Sequence, residues 1–143
     1  MTLRVMIDVN GFKPIRAHRS DAGFDLRCPR RLERPIILPG GWIDIDTGVH
    51  VAIPEGNYGR ICSKSGLHTK HGIYAFGGII DSGYTGSILV RLYNWGNHAY
   101  TVQEGDKIAQ LVIQPLTRIG KVVEVSELPN TERGNGGFGS TGR

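Results

Sequence analysis

Long apolar runs, cysteine and dense charge are all scarce in this 143-residue sequence. Its apolar runs are far shorter than the roughly 20 residues that cross a bilayer as a helix, so we expect no membrane association. The N-terminus carries an acid early and lacks a long apolar core, which argues against a secretory signal peptide. Two cysteines, Cys28 and Cys62, are too few for a disulfide framework. We interpret both as buried, reduced thiols and predict a cytoplasmic location, with a nuclear or viral-host compartment left open.

The positive charge of the chain is dispersed. Seventeen Lys and Arg against thirteen Asp and Glu give a formal net charge of +4. Such a balance suits nucleic acid, a membrane surface or a small polyanionic substrate. The tightest basic group, Arg30, Arg31 and Arg34, is more typical of a solvated surface than of a binding block. Because aromatic residues are also few, at 8%, we expect no nucleic-acid partner.

Glycine is abundant and separates short segments with strand character. The 21 glycines are about twice the usual share of roughly 7%. Alternating apolar and polar residues indicate strands, and only residues 65–71 suggest a short helix. The predicted strands cover residues 3–7, 36–38, 43–53, 58–62, 73–80, 87–93, 100–102, 107–114 and 121–125. Many short strands with Gly and Pro turns predict a mostly antiparallel β-sandwich or barrel.

The C-terminal residues 129–143 differ from the rest in composition. They read PNTERGNGGFGSTGR, and their glycines let backbone N–H groups approach an anion closely. Arg133, Ser140 and Thr141 add hydrogen-bond donors that suit phosphate. Phe138 offers a flat face on which a base can stack. The residues alone leave two interpretations open: a dispensable disordered tail, or an arm that orders over a ligand.

Lys64, Ser65 and Gly66 place an ammonium, a hydroxyl and a flexible backbone between a predicted strand and the possible helix. The free N–H groups of a helix N-terminus there would favour an anion. An ordinary strand–turn junction is the competing interpretation. His68 and His71 lie three residues apart, but the sequence lacks a further Cys/His pair at ligand spacing, so a zinc site is weakly supported.

Asp81 follows one apolar strand and precedes another, so it falls at a predicted hairpin tip. A turn aspartate usually bonds its own backbone. Tyr84 at the same tip and Gly78 on the incoming strand favour a ligand site, where a carboxylate can accept a proton from water. Asp25, in a turn-and-strand context, and Gln110, on a predicted strand, are unremarkable when taken singly.

Five segments, taken together and in order, resemble the five motifs of the trimeric dUTPase family. Each motif alone is a weak pattern, but the ordered set is highly specific and spans most of the chain. The segments are AGFDL (22–26), GRICSKSGL (59–67), GGIIDSGYTG (77–86), GDKIAQL (105–111) and RGNGGFGSTG (133–142).

The resemblance implies an all-β fold, a jelly-roll or distorted β-barrel subunit with one short helix, assembled as a homotrimer with sites between subunits. Residues 1–128 would form the β-barrel domain and residues 129–143 a flexible lid. The implied reaction is hydrolysis of dUTP to dUMP and pyrophosphate, which keeps dUTP low and supplies dUMP for dTMP synthesis. The implied cofactor is Mg²⁺.

The resemblance also implies a role for each matched residue. Asp81 would activate the water that attacks the α-phosphorus, and Tyr84 would pack under the deoxyribose. The hairpin backbone at Gly78 and Ile79 would pair with the uracil edge, and Asp25 would lie near Mg²⁺ through water. The residues expected to hold the phosphates or to close over the substrate are Lys64, Ser65, Gly66, Gln110, Arg133, Phe138, Gly139, Ser140 and Thr141.

The sequence departs from the family pattern at three places and argues against two rivals. Phe24 replaces a frequent tyrosine. Ser63 and Lys64 stand where Pro-Arg is common, so the guanidinium fork is lost. Gly83 stands where many members carry a second acid.

A dCTP deaminase would need a glutamate at the position of Arg91, and a non-catalytic nucleotide-binding module would need neither Asp81 nor the closing tail.

Overall fold

The computed structural model describes residues 2–137, so Phe138, Gly139, Ser140 and Thr141 lie outside the described residues. Within residues 2–137 the chain forms ten strands and one helix. The elements are β1 (Arg4–Ile7), β2 (Gly23–Arg27), β3 (Ile36–Ile37), β4 (Trp42–Ala52), β5 (Asn57–Cys62), α1 (Ser65–His71), β6 (Ile73–Phe76), β7 (Ile79–Ile80), β8 (Ser87–Asn94), β9 (Tyr100–Thr101) and β10 (Lys107–Pro115).

Two four-stranded sheets carry most of the structure. One has the order β1-β4-β8-β6, the other β2-β10-β5-β7, and β3 pairs with β9. Every strand pair is antiparallel. The sequence prediction of an all-β, mostly antiparallel fold with one short helix is therefore confirmed.

The core lies between the inward faces of the sheets, as strand β8 illustrates. Ile88, Val90 and Leu92 are fully buried, whereas Leu89 between them is exposed. Each fully buried aliphatic side chain of this kind contributes about 1.5–3 kcal/mol. Asn94 ends the inward row, and its buried amide donates to the carbonyls of Ile37 and His98, each at 2.8 Å. The pleat of the strand, which points successive side chains to opposite faces, thus determines which residues of β8 are buried.

Residues 73–80 were predicted as one strand, but they form two strands in different sheets. β6 pairs with β8, and β7 pairs with β5. Gly78 makes the change of sheet possible because its φ of 68° is strained for a residue with a side chain. At Gly77 a Cβ would lie 2.7 Å from the Ile61 side chain, so the backbones approach closely there. The chain therefore crosses between sheets directly before Asp81.

The predicted strand at residues 121–125 is wrong for the single chain. β10 ends at Pro115, and residues 116–137 contain no strand. Val122 and Val123 are 92% and 60% exposed, and Leu128 is 82% exposed. Strand propensity needs a partner edge to be realised, and within residues 2–137 the segment pairs with no strand.

Cys28 is buried and Cys62 is half-buried, and both are free thiols. The prediction that both are buried is thus confirmed for Cys28 alone. Burial, together with Asp106 and Glu104, raises the pKa of the Cys28 thiol to about 11, so it stays protonated at neutral pH. Across residues 2–137, no helix combines the length and apolarity needed to span a membrane.

Candidate active site

Four of the predicted site residues line one polar cleft of about 230 Å³. Register places Asp25 of β2 opposite Gln110 of β10, and α1 begins beside them at Ser65. The lining residues are Asp21, Ala22, Gly23, Asp25, Lys64, Ser65 and Gln110. We call this set the polar cluster; it unites residues from the first, second and fourth motif segments.

Asp25 is the buried charge of the polar cluster, with 4% of its surface exposed. Its Oδ1 accepts a hydrogen bond from the Lys64 ammonium, and the Lys107 Nζ lies 2.7 Å from its Oδ2. Burial acts to raise the pKa of Asp25, but the Lys107 and Lys64 ammonium groups outweigh it and hold that pKa below its ordinary value. Asp25 is therefore an ionised carboxylate between two cations.

Sequence reasoning missed Lys107. In a regular strand, residues three apart point to opposite faces, so strand periodicity alone does not place Lys107 on the side of Gln110. The pairing of β10 with β2 shifts register between Lys107 and Ala109. Such a bulge changes the alternation locally, and it brings Lys107 to the same carboxylate that Gln110 accompanies. The lysine at the third position of the GDKIAQL segment was the sequence feature that could have identified this residue.

The start of α1 leaves backbone donors available beside the cluster. Lys64 precedes the helix with extended backbone, and no described side chain caps its first turn. The N–H groups of that turn, which include those of Ser65 and Gly66, lack partners within the helix and favour an anion. Ser63, in place of the common proline, accepts from the Ala75 N–H at 2.9 Å and donates to its carbonyl at 3.2 Å, which ties β5 to β6.

Asp81 lies exposed directly after β7, in the turn that leads towards β8. Because β7 and β8 lie in different sheets and do not pair, the predicted β-hairpin is wrong, although the position of Asp81 in an exposed turn agrees with the prediction. The Tyr84 N–H donates to the Asp81 carbonyl at 3.0 Å and closes the turn. The Tyr84 hydroxyl donates to the Ser87 carbonyl at 2.9 Å. A Cβ at Gly86 would lie 2.4 Å from that hydroxyl, so the ring of Tyr84 covers a glycine. We call residues 77–86, which link the two sheets through this turn, the Asp81 hairpin, a label that implies no pairing between β7 and β8.

Two clefts flank the incoming arm of the hairpin at Ile79. One, of about 260 Å³, includes Tyr58, Asp81 and Ser82 in its lining. The other, of about 340 Å³, includes Tyr58, Arg60, Phe76, Gly77 and Gly78 in its lining. Ile79 is 55% exposed, so this arm presents an apolar side chain and glycine backbone to a ligand. Tyr58 and Arg60 were not predicted from the sequence.

The Asp81 hairpin and the polar cluster lie far apart within one chain. Register sets Asp25 level with Cys62 of β5, and Asp81 falls level with Tyr58 at the other end of that strand. Three strand spacings across the sheet and four residues along it separate their Cα atoms by about 20 Å. The single chain therefore does not bring Asp81 to the residues predicted to hold phosphate.

Two arginines singled out by the sequence lie away from these clefts. Arg91 donates to both oxygens of Asp44, at 2.7 and 2.8 Å, and stacks 3.8 Å above the Trp42 ring. Arg91 therefore makes its contacts on the exposed outer face of its sheet. Arg133 donates to the Gly136 carbonyl at 2.8 Å and lines neither the polar cluster nor the two hairpin clefts.

Comparison with known proteins gives a consistent result. The model of the dUTPase family matches residues 11–142. The deoxyuridine 5′-triphosphate nucleotidohydrolase of Eremothecium gossypii is 38% identical over 143 residues, 99% of this chain and 91% of the relative. The enzyme of the same name from Alkaliphilus metalliredigens is 43% identical over 131 residues, 90% of this chain and 88% of the relative.

Solved structures extend the likeness to three dimensions. A mutant dUTPase of Staphylococcus bacteriophage 80alpha, solved with dUpNHpp, superposes with a TM-score of 0.88 at 30% identity and covers 99% of both chains. A mutant dUTPase of phage phi11 of S. aureus, in which a structural Mg(II) ion is coordinated, gives a TM-score of 0.78 at 30% identity, over 89% of this chain and 98% of that one. The likeness confirms the predicted jelly-roll class.

Proposed function

The chain belongs to the dUTPase family and is an enzyme that hydrolyses dUTP, and we propose that Asp81 activates the water that attacks the α-phosphorus to give dUMP and pyrophosphate. The observation that carries this proposal is the position of Asp81, an exposed carboxylate at the tip of a turn closed by Tyr84. A carboxylate held beside a cleft can take a proton from water as the water attacks. The products are the nucleoside monophosphate and pyrophosphate.

The nucleoside would bind along the Asp81 hairpin. Gly78 and Ile79 present backbone groups and an apolar side chain at a cleft of about 340 Å³, which suits the edge and face of a uracil ring. Tyr84 would lie under the deoxyribose, and its hydroxyl bond to Ser87 fixes the ring. A fixed ring can exclude a ribose 2′-hydroxyl by steric contact, since clashes discriminate more strongly than lost contacts.

The triphosphate would bind at the polar cluster. Lys64 supplies an ammonium, Gln110 an amide, and the uncapped first turn of α1 supplies backbone donors at Ser65 and Gly66. These groups offset the charge of a polyanionic chain and hold it in line for attack. In the single chain the Lys64 ammonium pairs with Asp25, so phosphate and carboxylate would share it.

Mg²⁺ is the cofactor that these residues suit. Residues 2–137 contain no group of three or more His, Cys, Asp or Glu side chains able to hold a metal ion. Both oxygens of Asp25 face ammonium groups, which favours contact through a metal-bound water over direct ligation. Mg²⁺ is commonly held by substrate phosphates, waters and one or two carboxylates. When bound, it supplies neutralising charge to the triphosphate.

The C-terminal residues 129–143 would act as the lid. Arg133, Ser140 and Thr141 would close over the phosphates with Gly139, and Phe138 would stack on uracil, which excludes bulk water from the reacting groups. The β-barrel domain would then comprise residues 1–128. We further propose a cytoplasmic enzyme that limits dUTP and supplies dUMP for dTMP synthesis.

The active enzyme would be a homotrimer with each site between subunits. Within one chain about 20 Å separates Asp25 from Asp81, more than an aspartate side chain and a triphosphate held at the cluster can bridge. Large apolar side chains after β10 are exposed in the single chain. They include Ile119 at 79% and Val122 at 92% exposed. Exposed apolar surface is typical of a protein–protein interface. A second copy would supply the carboxylate of Asp81 to the polar cluster and would bury these apolar side chains.

Asp81→Asn tests the proposal. The amide keeps the shape but cannot accept a proton from water, so turnover of dUTP should fall by about 10²–10⁴-fold. Binding of a non-hydrolysable imido analogue, measured by calorimetry, should stay close to that of the wild type. Glu33→Gln, the same change at an exposed acid far from the hairpin in sequence, is the matched control and should keep full turnover. Near-normal pyrophosphate release by Asp81→Asn would remove Asp81 from the role of base.

A further inference from the structure

His50, near the end of β4, contacts both the Asp81 hairpin and the segment after β1. Its Nδ1 lies 2.9 Å from the Thr85 carbonyl oxygen. Its Nε2 lies 3.3 Å from each carboxylate oxygen of Asp8. Both partners accept hydrogen bonds, and a neutral imidazole has one N–H to donate. Only the imidazolium satisfies both contacts at once.

Thr85 is the part of the hairpin through which this contact reaches the proposed sugar site. It directly follows Tyr84, whose ring lies over Gly86 and whose hydroxyl is bonded to the Ser87 carbonyl. Ser87 pairs with His50 in the strand register, and its hydroxyl donates to Asp46. Fixing the Thr85 carbonyl therefore helps to fix the Thr85–Gly86 peptide, over which the Tyr84 ring packs.

The charges around His50 favour the imidazolium. Among residues 2–137, Asp8 and Arg4 face it from the β1 side, Asp46 from its own strand, and Tyr84 is the titratable group on the hairpin arm. The hydrogen bond to the Thr85 carbonyl is the main cause that raises the pKa of His50; partial burial opposes it, and Asp8 and Asp46 add to it. The doubly bonded form is thus present below this raised pKa and is lost as pH rises through it.

We propose that His50 is a positioning residue whose imidazolium ties the outgoing arm of the Asp81 hairpin to Asp8, so that deprotonation of His50 loosens Tyr84 and weakens substrate binding. The inference rests on the proposed function for the meaning of Tyr84. The tie itself is a property of the free protein and can be measured without substrate.

NMR of the unliganded protein tests the tie. The His50 ring should titrate above the ordinary value of about 6.5, and the Thr85 and Gly86 amide shifts should follow the same midpoint. Asp8→Asn should lower that midpoint, because it removes the nearest carboxylate. His98→Gln, at an exposed histidine outside this contact, should leave it unchanged. A midpoint at or below 6.5, or hairpin amides that do not respond, would overturn the proposal even if dUTP hydrolysis is confirmed.

Kinetics across pH test the consequence. In the wild type, KM for dUTP should rise roughly threefold to tenfold through the His50 midpoint, the range expected for one lost hydrogen bond, with kcat unaffected by that transition. His50→Gln should remove the transition and hold KM near the wild-type value at high pH. A transition that persists in His50→Gln would refute the role of His50. Absence of any dUTP turnover would instead refute the proposed function and leave the NMR result to decide on the tie.

Discussion

Two inactive variants should restore activity to each other if each site lies between subunits. Asp81→Asn removes the proposed base from the hairpin. Gln110→Glu places a carboxylate in the polar cluster, where the triphosphate is proposed to bind. Two unit charges of like sign at 4 Å repel by about 4 kcal/mol at an effective dielectric constant of 20, which is roughly a thousandfold in affinity. Each variant alone should therefore have little activity.

Because about 20 Å separates the two halves of the site within one chain, the two halves of a working site in a mixed oligomer should come from different chains. A site between subunits works when its hairpin comes from a Gln110→Glu chain and its cluster from an Asp81→Asn chain. With equal amounts and random assembly, each condition holds half the time, so about a quarter of the sites should be active. A site contained within one chain would never be complete in this mixture.

The assay is pyrophosphate release by mixed oligomers made by coexpression with two affinity tags. The doubly substituted chain mixed with wild type is the statistical control: it should leave about a quarter of the sites active if they lie between subunits, and about half if each lies within a chain. Native mass spectrometry establishes that mixing has occurred. Verified mixed oligomers with no more activity than the separate variants would refute the placement of each site between subunits.

The remaining predictions concern the lid, the substrate and the buried carboxylate. Deleting residues 133–143 should lower kcat/KM for dUTP while thermal unfolding changes by less than a core mutation would cause; a Tm loss as large as that of a core variant would contradict a lid. Pyrophosphate release with Mg²⁺ should be selective for dUTP over dCTP, dTTP and UTP, and ammonia from dCTP would point to a deaminase. Asp25→Asn leaves two partly exposed ammonium groups without their partner and should cost about 1–3 kcal/mol of unfolding free energy at neutral pH. Because the pKa of Asp25 is lowered in the folded state, that difference should shrink as pH falls through it; denaturant unfolding at pH 7 and pH 3 measures it, and a constant difference would refute the ion-pair argument.

The sequence predicted most of the strands because residue pattern is a local signal. The strand predicted at residues 87–93 matches β8, and the exposed position of Asp81 followed from the apolar segments on either side, but the predicted pairing of those segments as a hairpin was wrong. Alternation does not say which sheet a strand joins. The change of sheet at Gly77 and Gly78 depends on a backbone conformation that two glycines allow. The presence of two glycines in the sequence does not by itself predict that conformation.

The contact of Lys107 was missed and the strand at residues 121–125 was wrongly predicted, for different reasons. Lys107 reaches Asp25 through a bulge in β10, and a bulge changes which face a residue occupies without a distinct sequence signature. Residues 121–125 have the composition of a strand, but among residues 2–137 they pair with no strand edge. Strand assignment there was a statement about propensity, whereas strand formation depends on a partner.

In the proposed scheme the two halves of the site divide the chemistry, so that activity would depend on assembly. The polar cluster, with Lys107 beside it, holds cations and backbone donors around Asp25, so it can attract a triphosphate, but it does not contain the proposed base Asp81. The Asp81 hairpin offers a carboxylate, an aromatic ring and an apolar cleft, but its clefts lack the paired lysines of the cluster. An isolated chain would therefore bind parts of the substrate without hydrolysing it. If hydrolysis requires the carboxylate of one copy to meet the phosphates held by another, as proposed, dilution below the assembly threshold should abolish turnover before it unfolds the barrel.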